Sequence, residues 1–227
     1  MSGSDRQPEA PPTRGRTIRW WARFYDLASW AMLLGRGPAI REKTMEVARL
    51  APGQHLLDVG CGTGTLALAA WRRLQPEGKV FGIDASPEMI EMARQKAEKR
   101  AMRVSFQLSA IEDLSFPDAS FDVVLSSFML HHLPEDVRRQ GFAQVLRVLK
   151  PGGRFLAVDL ADSTGSLIGR LTRVFGHAMP RGYVEGLVSE ITVAGFDNVR
   201  EVESSFHYLA FLEANRPDRI DYAERAA

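Results

Sequence analysis

Gln54-His55-Leu56-Leu57-Asp58-Val59-Gly60-Cys61-Gly62-Thr63-Gly64 is the stretch whose reading decides the fold. A short apolar run ends in an aspartate and breaks into alternating glycines. Leu66, Ala67, Ala70, Trp71 and Leu74 then recur at helical spacing. The pattern is strand, tight turn, helix. The glycines let the backbone turn sharply and leave room for a ligand to lie against it. In an open α/β sheet, ligands bind at the carboxyl ends of the strands, where this turn sits.

The same alternation continues downstream. Lys79–Asp84 reads as a buried strand, and Ser86-Pro87-Glu88 opens a helix to about Arg100, with a capping serine, a proline in the first turn and an acid at the positive helix end. Val104–Leu108 is a third strand, and Phe121–Ser126 a fourth after the Pro117-Asp118-Ala119 turn. A helix follows from Leu133 to Leu149. Pro151-Gly152-Gly153 reads as a turn into a fifth strand, Arg154–Asp159. Strand and helix thus alternate five times, the mark of a parallel, doubly wound sheet. Near the end, Tyr183–Ala194 reads as a helix, and Asn198–Val202 and His207–Leu212 as two strands that close the sheet as a hairpin-like pair.

Upstream, residues 1–17 carry three prolines without apolar periodicity and read as a disordered tail. Residues 18–50 form a helical cap. Trp20, Phe24, Leu27, Ala31 and Leu34 make one helical stripe, and Trp21, Tyr25, Ala28 and Met32 an adjacent one; a second helix spans Ala39–Leu50. So wide an apolar face is either wedged between core and lid, or lines a substrate pocket, or touches a membrane surface. The main domain spans 51–214, residues 161–182 form a polar, glycine-bearing lid over the substrate, and 215–227 form a frayed, charged tail.

The 227 residues suit one sizeable α/β domain, and a net charge of +1 gives no global argument for nucleic acid. One cysteine excludes an intramolecular disulfide, and no His/Cys/Asp/Glu cluster has metal-ligand spacing. No run of about 18 apolar residues predicts a transmembrane helix, and the polar N-terminus does not read as a secretory signal, so a cytoplasmic location is expected.

Two ligands suit a strand, glycine turn and helix followed by an acid at the end of the next strand: a dinucleotide and S-adenosylmethionine. Asp84 serves either, since a carboxylate there accepts hydrogen bonds from ribose hydroxyls. The dinucleotide fingerprint needs a third glycine at position 65, which is threonine. Asp58, just before the turn, repels a pyrophosphate but suits the sulfonium and ammonium of S-adenosylmethionine.

Leu56–Leu68 (LLDVGCGTGTLAL) resembles the first motif of class I S-adenosylmethionine-dependent methyltransferases. Other blocks agree in order: VFGIDASPEMIEMAR (80–94), FDVVLSSFMLHHLP (121–134) and VLRVLKPGGRFLAVDL (145–160). The nearest subgroup is the ubiquinone/menaquinone C-methylase-like set, whose "FYD" element is matched by Phe24-Tyr25-Asp26. The resemblance implies a Rossmann-like seven-stranded sheet of order 3-2-1-4-5-7-6 with the last strand antiparallel. It implies that Gly60, Cys61, Gly62, Thr63 and Gly64, with Asp58, hold the methionine part of S-adenosylmethionine, and Asp84 the ribose. Ala85, Met89, Ala110 and Ile111 would flank the adenine, Ser126 or Ser127 would approach the methionine end, and Tyr25 would cover the cofactor or orient the substrate. One departure stands out. The subgroup's acidic or amide residue for the adenine amino group is replaced by Ala110, leaving only backbone groups there.

Methyl transfer from a sulfonium is an in-line displacement, so alignment in a dry site supplies much of the rate. A base is needed only if the acceptor must first lose a proton. His132, in the His131-His132 pair after the fourth strand, and Tyr25 are the candidates, each also readable as a pocket-shaping residue. Asp159 faces the pocket or caps its strand. His177 and His207 read as solvated loop histidines. The expected activity is methyl transfer to a small, apolar or aromatic acceptor, yielding S-adenosylhomocysteine; the alternative is a non-catalytic cofactor- or lipid-surface-binding protein on the same fold.

Overall fold

The computed structural model describes residues 11, 13–14, 35–161 and 179–218. The aromatic helix expected over residues 18–34 with Tyr25, His177, nearly all of the expected lid at 161–182 and the last nine residues lie outside the described residues.

Apolar runs become the centre of the sheet. β1 (His55–Val59) and β4 (Phe121–Ser127) are buried on both faces, as parallel strands covered by helices must be. β1 also pairs in parallel with β2 (Lys79–Asp84), β2 with β3 (Val104–Leu108), and β4 with β5 (Leu149–Leu160). β7 (Leu209–Asn215) runs antiparallel to both β5 and β6 (Asp197–Glu201). The seven strands are ordered β3-β2-β1-β4-β5-β7-β6, as the resemblance implies.

Alternate residues feed two cores. Leu56, Leu125, Val158 and Phe211 face α1 (Gly37–Val47), α2 (Thr65–Leu74) and α3 (Pro87–Lys99). Leu57, Val59, Val124 and Phe155 face α4 (Glu135–Val148) and α5 (Tyr183–Val193). Ser86 caps α3 as its type suggests, its hydroxyl accepting from the Met89 N–H at 3.3 Å. The chain leaves β1 toward β2 on one side and finds β4 on the other, which opens a crevice above their carboxyl ends.

Several boundaries differ from the sequence reading, three of them with a clear physical reason. α1 starts earlier and stops at Val47, because Arg49 takes a positive φ of 48°. Pro151-Gly152-Gly153 is a bulge inside β5 and not a turn before it. The β4–β5 register jumps from Phe121↔Leu149 to Val123↔Arg154, and Gly152 and Gly153 exchange backbone hydrogen bonds with Arg216 at 3.0 and 2.8 Å. That partner is remote in sequence, so a local pattern could not announce it. β7 runs later than His207–Leu212, since the Leu209 N–H closes a turn onto the Phe206 carbonyl at 2.8 Å.

Gly64 joins the turn to α2 at φ 75°, and a Cβ there would lie 2.6 Å from the Phe106 ring. Gly64→Ala therefore adds left-handed strain and overpacking together. Chemical unfolding should show a loss of about 2–4 kcal/mol relative to wild type.

Candidate functional site

The carboxyl ends of β1, β2 and β4 and the loops that follow them enclose one cleft. Val59, Gly60 and Gly62 form its floor, and Ile83, Asp84, Ala85 and Met89 one wall. Ser109, Ala110, Ile111 and Glu112 come from the loop after β3; Ser127, Phe128, Met129, His132 and Leu133 come from the segment after β4. Thr13 reaches the cleft from the N-terminal segment, next to Arg14, which pairs with Asp136 in the first turn of α4.

The glycine turn is built by close approach. Gly60, Gly62 and Gly64 all have positive φ, and a Cβ on Gly60 would lie 2.4 Å from Met129 Cγ. Only glycine lets the post-β4 loop come so near. The Cys61 N–H donates to Ile83 O at 2.8 Å, and the Gly62 N–H donates to Asp84 Oδ2 at 2.9 Å, so the turn is stitched to the end of β2. Asp84 Oδ1 accepts from the Ser86 N–H at 2.9 Å. Burial raises the Asp84 pKa, while the backbone N–H groups of Ser86, Gly62 and Ala85 pull it down.

Of the residues singled out from sequence, Gly60, Gly62, Asp84, Ala85, Met89, Ala110, Ile111, Ser127 and His132 meet at this cleft. Asp58, Cys61, Thr63 and Ser126 are buried among the residues behind the turn and do not line it, nor does Gly64. Burial pushes the Cys61 thiol well up, which disfavours the thiolate a nucleophile needs. Thr63 Oγ1 lies 3.2 Å from Thr65 Oγ1. His207 is exposed, as a solvated loop histidine should be.

The sequence reading missed Glu112. It sits two residues beyond Ala110 in the same wall, and its Oε2 is buried without a hydrogen-bond partner. It also left Asp159 undecided. That carboxylate is buried and holds the His131 ring, with Nδ1 2.5 Å from Oδ1. The His131 and His132 rings lie 3.9 Å apart between centroids.

Residues 56–153 match the model of a methyltransferase domain family. A demethylmenaquinone methyltransferase of Lactiplantibacillus plantarum is 30% identical over 213 residues, covering 89% of each chain. One from Symbiobacterium thermophilum is 32% identical over 159 residues, which is 67% of this chain and 62% of that relative. Among solved structures, an S-adenosylmethionine-dependent methyltransferase from Aquifex aeolicus superposes with a TM-score of 0.64 at 25% identity, over 78% of this chain and 89% of that one. The chain belongs to the class I S-adenosylmethionine-dependent methyltransferases of the ubiquinone/menaquinone C-methylase type. Its methyl donor is S-adenosyl-L-methionine.

The charges of the cleft fit that donor. Its described lining holds two carboxylates, Asp84 and Glu112, and no lysine or arginine. A third carboxylate, Asp58, lies behind it, 1% exposed, with Oδ2 lacking any hydrogen-bond partner. A pyrophosphate would meet only like charge here, whereas a cationic donor meets opposite charge. Burial lifts the Asp58 pKa to about 7; the Ala67 backbone N–H opposes this and the charge of Asp84 adds to it.

A carboxyl group whose folded-state pKa is raised binds its proton more tightly when folded. Its stability contribution is full below the unfolded value near 3.8 and is lost as pH rises toward about 7. Ligand-free Asp58→Asn should lack this slope. Between pH 4 and 7 the unfolding free energy of wild type should fall relative to the variant by on the order of a few kcal/mol. Parallel unfolding curves at every pH would count against the assignment.

Proposed function

We propose that this methyltransferase adds a methyl group to a ring carbon of a quinol-type aromatic acceptor, with His132 as the base. The observation that carries this reading is the placing of His132 on the cleft wall beside the apolar Phe128, Met129 and Leu133. The relatives' activity on demethylmenaquinone supports it from outside the chain. Bound S-adenosylmethionine supplies an electrophilic methyl on a sulfonium and leaves as S-adenosylhomocysteine.

The chain's residues divide the remaining work. Gly60–Gly64 cradle the methionine part, with Asp58 supplying negative charge behind them and Ser127 beside them. Asp84 accepts the ribose hydroxyls with the lone pairs that Gly62 and Ser86 leave over. Ala85, Met89 and Ile111 offer apolar walls to the adenine. Glu112 accepts from the adenine amino group, the contact that Ala110 cannot make. His132 takes the acceptor's hydroxyl proton, which raises electron density at the ring carbon. Once the carbon–carbon bond has formed, the ring proton is lost and the aromatic hydroxyl is restored, so one proton is released per turnover.

Tyr25, residues 18–34 and the 161–182 lid complete the acceptor pocket in this reading, and the enzyme works in the cytoplasm at or near a membrane surface. Among the described residues no helix is long and apolar enough to cross a membrane. The cleft positions of Glu112 and His132 favour turnover over a purely cofactor-binding role.

Two measurements test this. Calorimetry should show S-adenosylhomocysteine binding weakened about tenfold or more in Glu112→Ala, the size of a lost hydrogen bond to a charged group. S-inosylhomocysteine, which lacks the amino group, should bind wild type and variant alike; equal losses for both ligands would remove Glu112 from the adenine edge. With a short-chain demethylmenaquinol as acceptor, mass spectrometry should find a ring-methylated product. His132→Ala should lower kcat about 10²-fold without changing S-adenosylhomocysteine affinity. Absence of product from every quinol tried would refute the acceptor class.

A further inference from the structure

The cleft's proton chemistry leaves one buried cluster unused. Asp159, at the carboxyl end of β5, is 1% exposed and accepts four hydrogen bonds. Two come from backbone: the His131 N–H to Oδ2 at 3.0 Å and the Leu160 N–H to Oδ1 at 2.8 Å. A strand-end cap would need no more. The other two come from side chains: His131 Nδ1 lies 2.5 Å from Oδ1, and the Tyr183 hydroxyl donates to Oδ2 at 3.2 Å.

The two side-chain partners have different origins. His131 belongs to the single 3₁₀ turn Leu130–His132 that follows β4, and its side chain is 5% exposed. Tyr183 opens α5, so it arrives from beyond the lid segment. Burial and the Asp159 charge both raise its pKa, so it stays a donor throughout the working pH range. The Arg138–Glu190 pair, bonded at 2.6 and 2.8 Å, fixes α5 against α4 beside it.

His132 is the next residue of the same turn, and its ring is tilted 47° to that of His131 at 3.9 Å between centroids. A carboxylate on Nδ1 keeps a proton on that nitrogen and fixes the plane of the His131 ring. Contact with that fixed ring limits how the His132 ring can turn. The buried negative charge also lies one ring away from the positive charge that His132 acquires on accepting a proton, and the two attract.

We propose that Asp159 and Tyr183 are positioning residues for methyl transfer: they clamp the His131 ring, and through ring contact that ring orients His132 and stabilises its protonated form. The inference rests on His132 acting as the base. It also ties the acceptor side of the reaction to α5, so that displacing this helix loosens the base without disturbing the cofactor cradle.

Tyr183→Phe removes one hydroxyl and keeps the packing; Asp159→Asn is the stronger but riskier change. With the same demethylmenaquinol probe, Tyr183→Phe should lower kcat about tenfold, part of the roughly 10²–10⁴-fold that a positioned base supplies. KM for the probe and the affinity for S-adenosylhomocysteine should stay within about twofold. Proton NMR of the whole chain should show a strongly downfield His131 Nδ1–H in wild type, displaced in Tyr183→Phe and lost in Asp159→Asn. An unchanged kcat in Tyr183→Phe, or a change confined to KM or to cofactor affinity, overturns the clamp. Undiminished turnover in His132→Ala overturns the base assignment and the clamp with it. If wild type does not turn over the probe, the acceptor reading fails, and the resonance, which needs no acceptor, decides: its absence, or its indifference to Tyr183→Phe, overturns the clamp.

Discussion

The hydrogen bond from the Gly62 N–H to Asp84 Oδ2 joins the two halves of the ligand end of this sheet. It crosses from the turn after β1 to the end of β2. The other carboxylate oxygen holds the Ser86 N–H, where α3 begins. One side chain thus fixes the glycine turn, the second strand and the entry to the next helix, all at the topological crevice of the sheet. The left-handed backbone at Gly60, Gly62 and Gly64 is what lets the turn present its N–H groups at all. Burial raises the free energy of the charged carboxylate, and backbone donors offset part of it. The group that builds the turn also lines the cleft.

Much of the fold was legible because parallel strands buried on both faces must be continuous apolar runs. Leu56–Val59 and Val123–Leu125 announce themselves in this way, and the spacing between such runs leaves room only for helices. What the sequence did not carry were pairings with distant partners. Pro151-Gly152-Gly153 has the composition of a turn, and only Arg216, more than sixty residues away, makes it a bulge in a continuing strand. The end of β7 was hidden for the same reason: Asn215 looks like a charged tail until it is set opposite Arg154.

The site was legible to the depth of the backbone. Glycine positions and strand ends place Gly60, Asp84 and Ser127 in the cleft, because their geometry follows from strand and turn. Side-chain direction did not follow. Neighbouring serines diverge, Ser126 into the interior and Ser127 into the cleft, since successive residues of a strand point to opposite faces. Ala110 suggested a missing contact, while Glu112, in the short turn closed by the Asp113 N–H on the Ala110 carbonyl, faces the same space. Tyr183 had no local signal at all. It matters only because α5 packs against α4 and delivers its hydroxyl to Asp159. The aromatic stripes at 18–34 remain an expectation from periodicity, outside the described residues.

Under the proposed assignment, Asp84 and Glu112 in the cleft and Asp58 behind it would together set the affinity for the methyl donor. Asp58 and Glu112 each keep a buried carboxylate oxygen without a partner, and the Asp84 carboxylate is held at a raised pKa. A buried polar atom without a hydrogen bond forfeits its hydration, so the Asp58 and Glu112 oxygens each carry a cost. Under the same assignment, a donor bearing ribose hydroxyls and an exocyclic amine would complement Asp84 and Glu112, and its ammonium and sulfonium would sit in the field of Asp58 behind the turn. Binding energy then comes from relieving unfavourable groups as well as from forming contacts, and whatever stabilises the complex over the free chain stabilises the fold by linkage. Selectivity follows from the same electrostatics. A phosphate-bearing nucleotide of similar shape would add like charge beside the carboxylates.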